Sequence, residues 1–217
     1  FDIDLIFNLA CPASPPKYQE HAIKTLDTCY LGVKNILDLA NLKNARVFHA
    51  STSEIYGDPL EHPQKETYFG NTNSFGPRSC YDEGKRISES LAYEYINKFK
   101  VDVRIGRIFN TYGPYMDKND GRVISNFINQ ALKNEDMTVY GDGNQTRSFC
   151  YISDLIKVMQ LIAYSKELIN KPVNIGNNKE FSILDIANMI CKKIKTKSKV
   201  IYEKMPINDP KIRQPDL

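Results

Sequence analysis

Arg46-Val47-Phe48-His49-Ala50-Ser51-Thr52-Ser53-Glu54, and about thirty residues later Tyr81-Asp82-Glu83-Gly84-Lys85, decide how this chain is read. The first run opens with apolar residues of buried-strand type and passes into hydroxyls and an acid, where a strand would end. The second stands at the start of a helical pattern over residues 81–99, whose apolar members are Ile87, Leu91, Tyr95 and Ile96. Between them lies a polar, proline-containing loop that reaches about Pro77.

Working outward, residues 101–108 (VDVRIGRI) form the next strand, leading into Arg107-Ile108-Phe109-Asn110. Upstream, residues 4–10 (DLIFNLA) read as a buried strand, and Ile23, Leu26, Tyr30, Val33, Leu37 and Ala40 recur at helical spacing. Strand, helix, strand, helix, strand in this order predicts parallel strands joined by right-handed crossovers, an α/β doubly wound, Rossmann-like sheet. Helices are expected over 123–132, 152–164 and 182–195, with a short strand at 172–175. Residues 1–112 are assigned to the sheet domain and 113–217 mainly to a smaller lobe, with 151–176 returning to the sheet.

A dinucleotide-binding sheet opens with a strand, a glycine-rich turn and a helix whose N-terminus meets the pyrophosphate. No glycine cluster precedes Asp4, and Gly141 and Gly143, in Tyr140-Gly141-Asp142-Gly143, read as a late turn. If the sheet binds a dinucleotide, its first strand–helix–strand unit lies upstream. Phe1 leads directly into a core strand without a signal peptide, which predicts a fragment that starts in mid-fold.

Composition narrows the classes further. The 217 residues are 41% hydrophobic and 25% charged, as in an ordinary globular protein. No apolar run approaches the roughly 18 residues that span a bilayer, so no membrane contact is expected from this segment. A net charge of +3 is too small to argue for nucleic acid, and Lys192, Lys193, Lys195, Lys197 and Lys199 read as the solvated end of an amphipathic helix. Five cysteines without CxxC spacing argue against a disulfide frame or a zinc site. They favour a reducing, cytoplasmic compartment. Three scattered histidines suggest no metal cluster.

Tyr81 and Lys85 are one helical turn apart and share a face. A phenol with a pKa near 10 is a poor base at neutral pH, and a neighbouring ammonium lowers that value. The pair can then remove a hydroxyl proton while hydride leaves the same carbon. Alone, this spacing is common by chance. Thr52, Ser53 and Glu54, just beyond the carboxyl end of a parallel strand, point into the crevice where ligands bind. Their bland reading is turn chemistry. Strand, hydroxyl–acid run, loop and Tyr-Lys helix together favour an enzyme.

Thr52, Tyr81 and Lys85 match the Ser/Thr-Tyr-Lys set of extended short-chain dehydrogenases. Thr111-Tyr112-Gly113-Pro114 and Gln145-Thr146-Arg147-Ser148-Phe149 look like that class's nucleotide-sugar pattern. Within it, the runs Pro12 to Tyr18 (PASPPKY), Arg78 to Arg86 (RSCYDEGKR) and Asn119 to Val123 (NDGRV) resemble the UDP-glucuronate decarboxylase family. The similarity continues through Asp209-Pro210-Lys211-Ile212-Arg213-Gln214-Pro215.

The resemblance implies NAD as cofactor and conversion of UDP-glucuronate to UDP-xylose through a 4-keto sugar. It implies Tyr81 as redox base, Lys85 as its partner, Thr52 on the C4 hydroxyl, Ser53 and Glu54 near C5, and Arg213 on the sugar carboxylate. Leu9, Ala10, Thr28, Thr111 and Arg122 would contact cofactor, with Tyr81 and Lys85. Asn35, Asn110, Val123, Ser125, Asn126, Phe127, Gly141 and Arg147 would bind the UDP-sugar, Arg147 at the diphosphate. A homodimer through the helices that begin near Ile23 and Tyr81 is implied too. Asp27 stands where relatives commonly carry lysine, and Cys29 where asparagine is frequent. The rivals are a GDP-mannose or other nucleotide-sugar 4,6-dehydratase, a C4 epimerase, and an inactive scaffold on the same fold. TDP-glucose dehydratases use Thr-Asp-Glu, and Ser53 is a far weaker acid than that aspartate; GDP-mannose dehydratases carry Thr-Ser-Glu, so the triplet does not exclude them.

Overall fold

The structure is a computed structural model that describes residues 2–167, 170–207 and 210–217. Phe1 and Asp209, quoted above, lie outside the described residues. The chain opens with β1 (Leu5–Asn8), a short helix α1 (Pro15–Glu20) and α2 (Ala22–Asp27). A π-helical turn, Thr28–Gly32, joins α2 to α3 (Val33–Lys43). Then come β2 (Arg46–Thr52), a 3-10 turn at Ser53–Tyr56, α4 (Ser79–Phe99), β3 (Val103–Ile108) and β4 (Thr111–Tyr112). The second half contains α5 (Val123–Lys133), β5 (Met137–Tyr140), β6 (Thr146–Ser148), β7 (Cys150–Tyr151) and α6 (Ile152–Tyr164). It closes with β8 (Val173–Ile175), β9 (Glu180–Ser182), α7 (Ile183–Ile194) and β10 (Val200–Glu203).

The main sheet is parallel in the order β1-β2-β3-β8. Its strands are apolar on both faces because helices cover both. On one face Val33, Leu37 and Ala40 of α3 and Ala92 and Tyr95 of α4 meet Val47, Val103 and Ile105. On the other, Leu155, Met159, Ile162 and Ala163 of α6 meet Phe48 and Ile175. Each Val, Leu, Ile, Met or Phe among them, fully buried, contributes roughly 1.5–3 kcal/mol relative to exposure. This is the doubly wound α/β sheet that the element order predicts. Asn8 pairs with His49 and Thr52 with Ile108, so the carboxyl ends of the strands open on one side.

A second core joins α5 and α7 to β5, through Ile124, Phe127, Ala131, Met137, Val139, Ile183, Ile186 and Ala187. There β10 pairs with β5, and the antiparallel pair β6–β9 leads into α7. The Ser182 hydroxyl caps α7 by accepting from the Asp185 amide at 3.0 Å.

The expected apolar stripe before β2 breaks in two. Val33, Leu37 and Ala40 face the sheet, whereas Ile23 is 73% exposed and Leu26 and Tyr30 also lie outward. The π turn accommodates an extra residue, which rotates the α2 face away from that of α3. Thr25 and Cys29 are the buried positions there. Along α4, Ile87 is exposed, while Lys85 and Ser88 are buried and Leu91 and Ile96 are only partly covered. Among the described residues, no helix is long and apolar enough to cross a membrane.

Candidate active site

The site forms where β2 runs out. The Thr52 side chain accepts from the Glu54 amide at 3.2 Å, starting the 3-10 turn and fixing the hydroxyl at the strand end. Gly57 closes the turn at φ 64, where a Cβ would lie 2.0 Å from the Asn71 carbonyl oxygen. Only glycine fits that approach. Ser53 is buried in the turn and Glu54 points toward α4.

Helix α4 brings Tyr81 and Lys85 to the same place, both buried. Lys85 Nζ donates to the Ala50 carbonyl at 2.8 Å and lies 5.9 Å from the Tyr81 ring centroid. Tyr18 of α1 stacks on Tyr81 with centroids 4.8 Å apart and planes 6° from parallel. Burial pushes the Tyr81 phenol well above its ordinary value, Cys11 adds to that, and the Thr52 hydroxyl pulls the other way. The depression expected from Lys85 is therefore not met. Desolvation wins, and the ammonium is held by a β2 carbonyl.

Glu54 is bracketed by two guanidiniums. Arg78 Nη2 donates to Oε2 at 2.6 Å; Arg213 Nη1 lies 2.7 Å from Oε1 and Nη2 2.9 Å from Oε2. Burial pushes the Glu54 carboxyl up, but Arg213 and Arg78 outweigh it and leave the carboxyl below its ordinary value. Asp82, one turn after Arg78, behaves oppositely: burial and then the Glu54 charge raise it to about 7.

Of these groups, Tyr18, Glu54, Arg78 and Arg213 line a cavity of about 340 Å³, whereas Thr52, Ser53, Tyr81, Lys85 and Asp82 do not. Of the residues expected to bind substrate or cofactor, Glu54, Asn110, Thr111, Arg122, Val123, Asn126, Phe127, Arg147 and Arg213 line it. Arg213 Nη1 also reaches Asn110 Oδ1 at 3.3 Å. Arg122 forms a two-pronged ion pair with Asp120. Asn35 is not brought to the cavity; it is exposed on α3, off the Val33–Leu37–Ala40 stripe. Ser125 is buried and donates to the Arg122 carbonyl, and Gly141 sits in a turn against Met205. Thr28 donates to the Lys24 carbonyl of its own helix. Leu9 and Ala10 lie exposed just past β1. Arg147 has partners other than a diphosphate: it donates to the carbonyls of Thr146, Pro210 and Lys211. A second cavity, about 430 Å³, opens at the other end of the sheet beside Arg46 and Asp102 and holds none of these residues.

Arg213 arrives on the C-terminal segment, which long-range bonds hold in place. The Gln64 amide donates to the Gln214 carbonyl at 2.8 Å, and its side-chain oxygen accepts from the Gln214 amide at 2.9 Å. The Ser148 amide donates to the Arg213 carbonyl at 3.2 Å. Below, Glu89 takes a fork from Arg107 and the Ser51 hydroxyl, tying α4 to β2 and β3. Tyr18, Arg78, Asp82 and Gln64 are given no role by the sequence reading; Tyr18, Arg78 and Gln64 meet partners far along the chain, Tyr81, Glu54 and Gln214. Among the described residues, no group of three or more His, Cys, Asp or Glu side chains could hold a metal ion.

A parallel sheet with a Thr-Tyr-Lys cluster past its strand ends defines the short-chain dehydrogenase type of α/β fold. The chain belongs to the family described as GDP-mannose 4,6 dehydratase, whose model matches residues 1–215. It is 49% identical over 216 residues to UDP-glucuronic acid decarboxylase 1 of Xenopus tropicalis, covering 100% of this chain and 51% of that protein. It is 50% identical to UDP-glucuronic acid decarboxylase 1 of Arabidopsis thaliana over 100% of this chain and 49% of that protein. The chain thus spans about half the length of these curated relatives. Among solved structures, it superposes with TM-score 0.88 and 26% identity on a mutant UDP-glucuronic acid 4-epimerase of Bacillus cereus. That structure contains UDP-4-deoxy-4-fluoro-glucuronic acid and NAD, and the match covers 99% of this chain and 67% of that one. The UDP-N-acetylglucosamine 4-epimerase of Methanobrevibacter ruminantium M1 gives TM-score 0.89 at 26% identity, over 99% of this chain and 68% of that one.

Proposed function

We propose that the intact protein converts UDP-glucuronate to UDP-xylose with NAD as a recycled cofactor. The observation that carries this is the pair of buried arginines, Arg78 and Arg213, that meet on the Glu54 carboxylate at the cavity wall, next in the fold to the Thr52–Tyr81–Lys85 cluster. A guanidinium fork suits a planar carboxylate, and a sugar carboxylate is what separates this substrate from those of a dehydratase. The names of the relatives at 49% and 50% identity point the same way.

Leu9, Ala10, Thr111, Tyr81 and Lys85, grouped at the strand ends, suit the nicotinamide half of a dinucleotide. When bound, NAD supplies a hydride acceptor and a positive charge beside Tyr81. Among the described residues no glycine-rich strand–turn–helix stands ready for the pyrophosphate. We assign residues 1–112 to the cofactor domain and 113–217 mainly to the substrate lobe, with 151–176 belonging to the sheet.

Tyr81 takes the proton of the C4 hydroxyl, which Thr52 holds, and later returns it. Oxidation at C4 makes a β-keto acid, whose carboxylate leaves as carbon dioxide. Arg213 holds that carboxylate in the orientation for cleavage. Ser53 and Glu54 border the C5 face, where a proton must be added. Ser53 is a far weaker acid than the aspartate of TDP-glucose dehydratases, which argues against that rival alone; against a GDP-mannose dehydratase the reading rests on Arg213. Exposed Ile23, Tyr30, Leu31 and Ile87 on the α2–α4 face support a homodimer through these helices. Five free cysteines support a reducing, cytoplasmic setting.

The test is to incubate the intact protein with UDP-glucuronate and NAD and read products by mass spectrometry. The account expects loss of carbon dioxide without net NADH; an unchanged mass, or loss of water, would sink it.

A further inference from the structure

Two thiols meet beside the Tyr81–Lys85 pair, and neither has a role in the chemistry set out above. Cys11, half-buried just past β1, and Cys29, buried in the π turn, bring their sulfurs to 3.5 Å. Cys80, Cys150 and Cys191 instead turn their thiols to the carbonyls of Tyr18, Tyr151 and Ser198. Helix α4 packs directly on Cys29. The Ser88 hydroxyl donates to the Cys29 carbonyl at 2.8 Å, and a Cβ on Gly84 would lie 3.1 Å from the Cys29 sulfur. Gly84 stands between Tyr81 and Lys85, so that sulfur is seated against the helical turn that carries both. On the other side, the Ala10 amide donates to Asn8 Oδ1 at 3.3 Å and holds the segment that leads to Cys11 onto the end of β1.

We propose that Cys11 and Cys29 are a reversible disulfide site, and that closing it disables the active site. In a reducing compartment such a bridge is transient and senses oxidant rather than stapling the fold. The bridge rests on the geometry of the pair alone; its effect on turnover rests on the function proposed above.

A disulfide brings its sulfurs to about 2 Å, so the two side chains must share an approach of about 1.5 Å. Cys11 lies in the irregular segment between β1 and α1, which gives way more readily than the π turn wedged against α4. The Lys85 ammonium bears on both sulfurs and favours a thiolate, the reactive form. The Cys11 S–H donating to its sulfur holds the Cys29 thiol down at about 7; burial opposes this and Lys85 supports it. The same hydrogen bond, with burial, raises Cys11. The shared proton crosses between the sulfurs, so the more accessible Cys11 can act as the thiolate. The oxidant is hydrogen peroxide. The Cys11 thiolate attacks one peroxide oxygen; the S–O bond forms, the O–O bond breaks, and hydroxide leaves and takes up a proton as water. The Cys29 thiol then attacks that sulfur; the S–S bond forms, the S–O bond breaks, and a second water carries off the thiol proton. Two electrons pass from the sulfurs to the peroxide. The bridge draws the Leu9–Cys11 segment and the π turn together, and with them the turn of α4 that carries Tyr81 and Lys85. A displacement of about 1 Å can cost about a hundredfold in rate.

The experiment treats the intact protein with a small excess of hydrogen peroxide, then unfolds it and caps the remaining thiols with N-ethylmaleimide. Trypsin separates Cys11 from Cys29 at Lys17 and Lys24. Mass spectrometry should find the two peptides joined and lighter by two hydrogens, with Cys80, Cys150 and Cys191 capped as thiols. Decarboxylation of UDP-glucuronate should fall at least about tenfold as the bridge forms and return with dithiothreitol. Cys29→Ser should form no bridge and keep its own starting rate at the peroxide dose that bridges the wild type; Cys11→Ser gives the same reading where Cys29→Ser does not fold. Cys11 joined to Cys80, or oxidised beyond sulfenic acid without a bridge, overturns the proposal, as does a bridged protein with full turnover. An untreated protein that does not decarboxylate UDP-glucuronate would sink the function proposed above, and the peptide masses would still decide whether the bridge forms.

Discussion

Replacing Arg213 by methionine keeps most of the side-chain volume and removes the fork. Three contacts vanish: 2.7 and 2.9 Å to Glu54 and 3.3 Å to Asn110 Oδ1. Glu54 keeps Arg78 at 2.6 Å, so it is not left as an unpaired buried charge. The folding cost should stay near 1–3 kcal/mol, below the roughly 3–5 expected when a buried ion loses its only partner. The functional cost is separate. A forked, charge-assisted contact to the substrate carboxylate is worth about 3–4 kcal/mol, or roughly 150- to 1000-fold in kcat/KM. UDP carries no such group, and its affinity should change by less than about threefold. Steady-state kinetics with UDP-glucuronate beside calorimetry with UDP separates the two effects. Equal losses for both ligands would refute the assignment of Arg213 to the carboxylate, because a collapsed pocket would explain them as well.

Tyr81→Phe keeps the stack on Tyr18 but removes the phenol, so turnover should drop by at least about a thousandfold with UDP-sugar affinity nearly intact; single-turnover assays check this. Glu89→Ala strips the buried Arg107 guanidinium of its carboxylate and leaves the Ser51 hydroxyl without its acceptor. It should cost about 3–5 kcal/mol in urea unfolding, far more than the surface pair Lys98–Glu94 is worth. Asp82 titrates at about 7 in the fold, above its unfolded value near 3.9. The folded state thus binds that proton more tightly, and stability from this group falls as pH rises from about 4 to 7, then levels off. Asp82→Asn should raise the Tm at pH 8 and change it little at pH 4, by calorimetry; a uniform shift would contradict the linkage.

The sheet was legible because its strands are buried on both faces. Val47 and Phe48 sit side by side in β2 yet face opposite helical layers, and such a run reads as apolar without alternation. Helix α6 was legible at its bounds, and Leu155, Met159, Ile162 and Ala163 face one layer, although Ile156, Leu161 and Tyr164 lie outward. The π turn was not, because Tyr30 and Val33 keep helical spacing in sequence while pointing in different directions in space. In α4 the buried face carries Lys85 and Ser88, so hydrophobicity alone gave Ile87 the wrong side. Thr52, Tyr81 and Lys85 could be found because they cluster in sequence around one strand end. The Glu54–Arg78–Arg213 assembly could not, since Arg213 reaches Glu54 from 159 residues away. Nor could the sequence reveal that Arg147 serves the carbonyls of the segment that carries Arg213.

The account stands or falls on the hydride returning to the carbon it left. The direct measurement gives the intact protein UDP-glucuronate deuterated at C4 and locates the label in the product by NMR. Deuterium retained at C4 of UDP-xylose is the predicted result, with Tyr81 cycling one proton and the cofactor recycled within the site. Deuterium washed into solvent, or found in released NADH, would contradict it.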